Sequence, residues 1–375
     1  MPPIRILTAV PICDGHDSAI NTINLELVRQ GIEVIYLGYN RSAKDIVRAA
    51  IQEDVVAVGL SSYNGGHVEF FGQVVDRLES ARLQPGVSVF GGGGGTITHE
   101  DAAIMYKRGV NRIFFAGTPL ENIAEYVQSE FSKVPQTDCH RDSIEPDSTL
   151  ARELTLIENG MEFPLAGAAG KSSKVIGFTG PGGAGKTTLI DELVLRFLRS
   201  QPVKRRVAIL SHDPSIISSG ALLGDRATMI YSQSDRVFMR SMATRGTPGG
   251  LSSSTERALQ TLIRSGLFEF ILVETVGTGQ ESVPFGIQKS LADRVVLVLP
   301  PDYGGRLQLQ KIAMLDVADI ITVNKSDLQG VRTAFAEIEA RIRGNKKKQT
   351  LILTQANKHR DLGVDQLFNL LFVES

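Results

Sequence analysis

Gly180-Pro-Gly-Gly-Ala-Gly-Lys-Thr187 sets a lysine and a threonine behind a run of glycines at the spacing of a phosphate-binding loop. The apolar run 175–179 precedes it and the helix-like 189–197 follows, so the pattern stands in the strand–loop–helix setting it needs. Glycines let backbone N–H groups approach phosphate oxygens with no Cβ in the way. The helix N-terminus adds partial positive charge. Gly180, Gly182, Gly183, Ala184, Gly185, Lys186, Thr187 and Thr188 are therefore the expected nucleotide contacts. Lys186 would reach the β- and γ-phosphates as a catalytic cation, and the Thr187 hydroxyl would hold Mg²⁺.

Asn324-Lys325-Ser326-Asp327 closes a second apolar run, 318–323. A carboxylate there can accept from both the ring N–H and the exocyclic amine of guanine. Adenine offers no such pair and would strand it. GTP and GDP are the expected ligands. Thr354 and Ala356, after Leu351-Ile-Leu353, sit where a last base-contacting loop would fall. Glu274 ends the run 270–274 and Asp213 ends the run 207–213. Each is a magnesium candidate or else a strand-end cap, and Gly277 would sense the γ-phosphate. Lys346, Lys347 and Lys348 read as a solvated turn.

The first third carries different chemistry. Asp14-Gly15-His16 follows the strand-like 4–10, and a carboxylate on one ring nitrogen fixes the tautomer and makes the other nitrogen a better metal ligand. Ser61 and Ser62 end another strand, and Gly91 to Gly95 form a floor without side chains, suited to a bulky ligand. The sequence holds no further His/Cys group to complete a zinc site. Any metal would arrive inside a cofactor that brings its other ligands. Cys13 reads as a buried reduced thiol. With Cys139 it is too sparse for a disulfide framework.

These residues resemble the cobalamin-binding domain of adenosylcobalamin-dependent mutases, whose pattern is Asp-x-His-x-x-Gly, Ser-x-Leu and Gly-Gly. Here Ala19 replaces the first glycine and Tyr63 the leucine. Leu60-Ser-Ser-Tyr-Asn-Gly-Gly-His67 and the five glycines are similar to one subgroup, the fused isobutyryl-CoA mutases. The resemblance implies His16 as the lower ligand of cobalt and Asp14 as its partner. Gly15, Ser61, Ser62, Gly94 and Gly95 would hold the cofactor, Ser61 on the displaced benzimidazole tail. His67 either joins them or caps the helix after it. The second half resembles that family's G-protein chaperone, the MeaB-like class. Asp213-Pro-Ser215, 220–226, 238–246 and 274–280 match it. The resemblance implies switch segments near 213–226, 277–282 and 302–306. Arg226 and Gln280 would be catalytic or switch residues, or else surface ion-pair partners.

The elements that must position this chemistry alternate strand and helix through the first third. That predicts an α/β fold with a doubly wound parallel sheet, whose ligands bind beyond the carboxyl ends of the strands. The resemblance implies a flavodoxin-like, Rossmann-like cobalamin domain ahead of a P-loop GTPase domain. The expected division is 1–134, a linker with a short helix over 135–170, and 171–375. Leu154, Ile157 and Met161 at helical spacing could pack on either domain. Lys and Arg number 40 against 41 Asp and Glu, which gives no electrostatic case for nucleic acid or an anionic membrane. No apolar run approaches the ~20 residues of a membrane span, and cytoplasm is the natural placement.

The 375 residues leave no room for the acyl-CoA-binding (β/α)8 barrel of the fused family. The expectation is a GTPase that gates cofactor loading and shows no isomerase activity alone. It would supply cobalamin to a mutase barrel on another chain, or to one from which this chain was excised. An adenosyltransferase would be a further partner, within a homo- or hetero-oligomer. One alternative is a cobalamin sensor or carrier with a regulatory G domain. Another is a GTPase chaperone for a metal such as nickel, against which the sparse cysteines argue.

Overall fold

The computed structural model describes residues 2–83, 86–132, 146–161, 173–200, 202–215, 220–277, 283–286, 291–303 and 312–373. Gln280, Cys139, most of the expected linker and the central parts of the three expected switch segments lie outside them. The chain divides into two compact units that do not follow the linear order. The first contains 1–165 together with 213–228 and 239–246; the second contains 166–212, 229–238 and 247–375.

In the first unit β1 (Arg5–Ala9), β2 (Glu33–Tyr36), β3 (Ala57–Ser61), β4 (Ser88–Gly92) and β5 (Arg112–Phe114) alternate with α1 (Ser18–Arg29), α2 (Ala43–Gln52), α3 (His67–Ser80), α4 (His99–Lys107) and α5 (Leu120–Phe131). The strands are parallel and run β5-β4-β3-β1-β2 across the sheet. β1 and β3 are buried along their whole length, as sheets covered on both faces demand. α2 and α4 begin with capping boxes, Ser42 with Asp45 and Thr98 with Asp101. α6 (Pro146–Glu158) starts inside the expected linker and belongs to this unit, with Leu154 and Ile157 buried.

In the second unit β6 (Lys174–Thr179) leads into α7 (Lys186–Ser200) through the phosphate-loop sequence. A seven-stranded sheet runs β13-β12-β11-β6-β10-β7-β9, where β7 is Val207–Asp213, β9 Val237–Ala243, β10 Phe270–Glu274, β11 Arg294–Leu299, β12 Ile320–Val323 and β13 Thr350–Leu353. β6 lies between β10 and β11, both parallel to it. The phosphate loop therefore leaves the middle of the sheet, where ligands of doubly wound folds bind.

The first unit's remaining strand was not expected. β8 (Ala221–Leu223) adds in parallel to β2 as a sixth strand, with Glu33 opposite Ala221. The Gly220 N–H donates to the Val28 carbonyl at 3.1 Å to start it. Beside it Glu53 accepts from Arg226 Nε at 2.6 Å, Arg5 Nη2 at 2.8 Å and the Ser241 N–H at 3.0 Å. Arg5 also pairs with Glu33 and Glu158, and Arg240 with Glu158 at 3.0 Å. Buried charges survive only when paired and hydrogen-bonded. Arg226 thus forms an ion pair, but a buried one and not the surface pair open from sequence. Among the described residues no helix is long and apolar enough to cross a membrane.

Candidate functional site

Each unit gathers one set of the residues singled out above. In the first, Asp14 and His16 stand on the loop after β1. The buried Asp14 carboxylate meets His16 Nδ1 at 2.9 Å through Oδ1, and Oδ2 accepts from the Tyr63 N–H at 2.5 Å and the Asn64 N–H at 3.3 Å. Burial pushes this carboxyl up, but the hydrogen bonds from Tyr63, His16 and Asn64 outweigh it and hold the group below the usual carboxylate range. The His16 side chain is 71% exposed. With Nδ1 engaged, Nε2 is the nitrogen left to bind a ligand.

Beside this pair a cavity of about 330 Å³ opens between the sheet and helices α1 and α5. Ser61, Tyr63 and Gly91 to Gly94 line its outer end, Ile20 and Ile123 its helix side, and Thr8 and Phe90 its inner end. Gly59 lies opposite Thr8 in the sheet register, two residues in from Ser61, so the cavity runs about 7 Å down the strands. A Cβ on Gly59 would meet the Phe90 ring at 2.9 Å, and one on Gly94 would overlap the Tyr63 ring. The space over these two glycines is thus taken by the Phe90 and Tyr63 rings. Ser62 is buried, Gly95 has φ +96°, and Gly15 is exposed on the loop.

Two sequence readings change. Cys13 is exposed, not buried: its backbone takes φ 63° in a tight turn whose N–H donates to the Asn40 side chain at 3.0 Å, which turns the thiol outward. His67 is the first residue of α3 and is buried, its Nδ1 3.0 Å from the Asn64 carbonyl and its Nε2 3.2 Å from Asp101. The N-cap of α3 is Gly66 and no side chain caps it, so His67 does not cap the helix.

In the second unit Lys186 is buried with Nζ donating to the carbonyls of Gly180 (3.1 Å) and Pro181 (3.2 Å). The Thr187 hydroxyl donates to Glu274 Oε1 at 2.7 Å, which brings the two magnesium candidates together at the end of β10. Gly185 has φ +87°, and a Cβ there would meet Asn324 Nδ2 at 2.5 Å. Asn324 Nδ2 donates to the Ala184 carbonyl at 2.9 Å, while Oδ1 accepts from Thr354 Oγ1 (3.2 Å) and the Ala356 N–H (3.1 Å). One side chain thus fastens the phosphate loop to the last loop. Gly182, Gly183 and Thr188 are exposed, as is Asp327, and Lys325 holds φ 60° beside it. Gly277 lies against the loop, since a Cβ on it would meet the Gly182 nitrogen at 2.6 Å. Asp213 ends β7 and is grouped with the first unit, as is Arg226.

Three residues escaped sequence reading. His212 is buried, with Nδ1 2.8 Å from the Glu274 carbonyl and Nε2 2.9 Å from Thr255 Oγ1, so it steadies the strand end that carries Glu274. Its position one residue before Asp213 was the available signal. Tyr63 was noted only as a departure from a pattern. Thr8 sits inside an apolar run and gave no signal at all.

Residues 4–123 match the family described as B12 binding domain, and residues 150–371 the family described as methylmalonyl Co-A mutase-associated GTPase MeaB. Over 388 residues the chain is 35% identical to the fused isobutyryl-CoA mutase of Cupriavidus metallidurans, covering 97% of this chain and 35% of that protein. Over 366 residues it is 36% identical to the fused isobutyryl-CoA mutase of Geobacillus kaustophilus, covering 90% and 32%. Over 154 residues it is 39% identical to the mitochondrial methylmalonic aciduria type A homolog of Mus musculus, covering 40% and 35%. The resemblance carried by Asp14-Gly15-His16 and the phosphate loop is borne out at the level of family. The chain spans about a third of the length of these relatives.

Proposed function

We propose, from the premise that this chain belongs to the methylmalonyl-CoA mutase-associated GTPase MeaB family, that it hydrolyses GTP to govern how its B12-binding unit holds and delivers adenosylcobalamin. The observation that carries this reading is the Asp14–His16 pair beside a glycine-floored cavity, in a chain that also carries a phosphate loop tied down by Asn324. The recipient is an acyl-CoA mutase barrel of the isobutyryl-CoA type, on another chain or on a longer form of this one. An adenosyltransferase is the natural supplier.

The residues fit the cofactor. His16 Nε2 would bind the cobalt, with Asp14 holding Nδ1. The cavity would take the benzimidazole tail, held by Ser61, Gly94 and Gly95, with Ser62 and Gly15 supporting the loops. Bound adenosylcobalamin supplies a cobalt–carbon bond that breaks homolytically. In the second unit Thr187 and Glu274, joined by a hydrogen bond, would hold Mg²⁺. Lys186 and the loop N–H groups neutralise charge growing on the phosphates. Asn324, Lys325 and Asp327 read guanine, with Thr354 and Ala356 closing the base pocket. Gly277 responds to the γ-phosphate.

The coupling is linkage: GTP and GDP must favour different conformations by a few kcal/mol to move the cofactor equilibrium. Absorption titration of the chain with adenosylcobalamin tests the cobalamin half. A base-off spectrum with a histidine-ligated signature that disappears in His16→Ala is expected; no spectral change at saturating cofactor would sink it. Magnesium-dependent release of phosphate from GTP and not from ATP is the expected result for the other half.

A further inference from the structure

Four observations converge on Tyr63. Its backbone N–H donates to Asp14 Oδ2 at 2.5 Å. Its ring stacks on the His16 imidazole, centroids 5.1 Å apart and planes 29° apart. The same ring occupies the space over Gly94 that a side chain on that residue would need. It also lines the outer end of the 330 Å³ cavity. One residue thus touches the carboxylate, the imidazole, the glycine floor and the cavity.

We infer that Tyr63 is the positioning residue of the His16 imidazole: its ring, backed by Gly94, holds the ligand nitrogen at one angle at the cavity mouth. The inference rests on the cobalamin reading above and names the residue that sets the geometry of that site. The physical need is plain from exposure. A mostly exposed imidazole held by one hydrogen bond at Nδ1 still rotates about that bond. A stacked ring removes the rotation, because turning the imidazole breaks the face-to-face contact. Ligand groups that are already oriented lose less freedom on binding, and the gain appears as affinity. A leucine, which the broader cobalamin-binding pattern places here, has no flat face to offer.

Gly94 completes the device. The Tyr63 atoms nearest a Cβ at position 94 belong to the far end of its ring, the part that can move. A side chain at 94 would meet the Tyr63 ring first and push it off His16. The two positions should therefore act as one unit, which a double-mutant cycle measures.

The experiment titrates the full chain with adenosylcobalamin and reads both the dissociation constant and the histidine-ligated absorption band. Tyr63→Leu is expected to weaken binding about threefold to tenfold and lower the ligated fraction at saturation, the range of one lost ring stack. Tyr63→Phe should restore both to within about twofold. Gly94→Ala should weaken binding in the parent and by at least about threefold less in Tyr63→Leu, since no ring is then left to displace. Backbone strain at position 94 is common to both backgrounds and cancels. Unchanged binding in Tyr63→Leu, or an equal effect of Gly94→Ala in both backgrounds, overturns the inference while leaving the cobalamin reading intact. A parent chain with no His16-dependent band overturns both.

Should Tyr63→Leu fail to fold, Tyr63→Trp supplies an independent readout without cofactor, because the sequence contains no tryptophan. An indole stacked on the imidazole is quenched, so its emission should rise on adding His16→Ala. Equal emission with and without His16 would overturn the stacked arrangement.

Discussion

Arg226 Nε lies 2.6 Å from Glu53 Oε1, with both side chains wholly shielded from water and the two residues 173 positions apart in the chain. Burial, with the nearby Arg240 and Arg5 charges, pulls the Arg226 guanidinium pKa below its ordinary value, and Glu53 offsets that only in part. Burial likewise opposes ionisation of Arg5, which Glu158, Glu33 and Glu53 more than offset, so its pKa rises. Glu53→Gln would leave two buried cations facing a neutral amide. Breaking a buried pair from one side costs about 3–5 kcal/mol. The expected outcome is that loss in the urea unfolding transition of the first unit. A loss under about 1 kcal/mol would mean that water reaches the site.

The Asp14 carboxyl gives a prediction with a definite sign. Its folded pKa lies below its ordinary value because hydrogen bonds from Tyr63, His16 and Asn64 outweigh the effect of burial. A lowered folded pKa contributes stability that is fully present above the unfolded value of about 3.9 and is lost as pH falls through the folded one. The stability difference between the parent and Asp14→Asn should be flat above about pH 5 and shrink below about pH 4. Denaturant midpoints across that range measure it. A difference that grew on acidification would reverse the assignment.

Asn324 carries the third. Its amide bonds the Ala184 carbonyl on one side and Thr354 and Ala356 on the other. Asn324→Ala unties both loops and leaves the buried Thr354 hydroxyl and Ala356 N–H without that partner, at roughly 1–3 kcal/mol each way. GTP and GDP affinity should fall by at least about tenfold together, since the loss precedes any γ-phosphate contact. Calorimetry with each nucleotide decides it; a loss confined to GTP would place Asn324 in sensing and not in holding.

How much of this was legible depends on the range of the interactions. β1 to β5 and the phosphate loop were readable because a buried parallel strand is a local apolar run and a phosphate loop is a local spacing. Thr187 and Glu274 could be paired on paper because each ends or begins an element at the same edge of a parallel sheet. β8 was not readable. Ala221-Leu222-Leu223 is too short to show a period, and its partner Glu33-Val34-Ile35 lies far earlier in the chain. Arg226 stayed open between a catalytic or switch role and a surface ion pair for the same reason: Glu53, the carboxylate it is buried against, is remote in sequence. Cys13 misled because its apolar neighbours hid a turn with φ 63°.

Thr8 supplies the last test, at the inner end of the cavity. Its hydroxyl is buried and has no hydrogen-bond partner among the described residues. Thr→Val usually destabilises a core because the hydroxyl was bonded. Here it was not, so the substitution keeps the shape and removes an unmet desolvation penalty of about 1–3 kcal/mol. Thr8→Val should leave stability unchanged or raise it by about 1 kcal/mol, read from the urea midpoint without cofactor. A loss larger than about 1 kcal/mol would show that the hydroxyl has a partner in solution. A water held at the cavity floor between Thr8 and Gly59 would then be the group to look for.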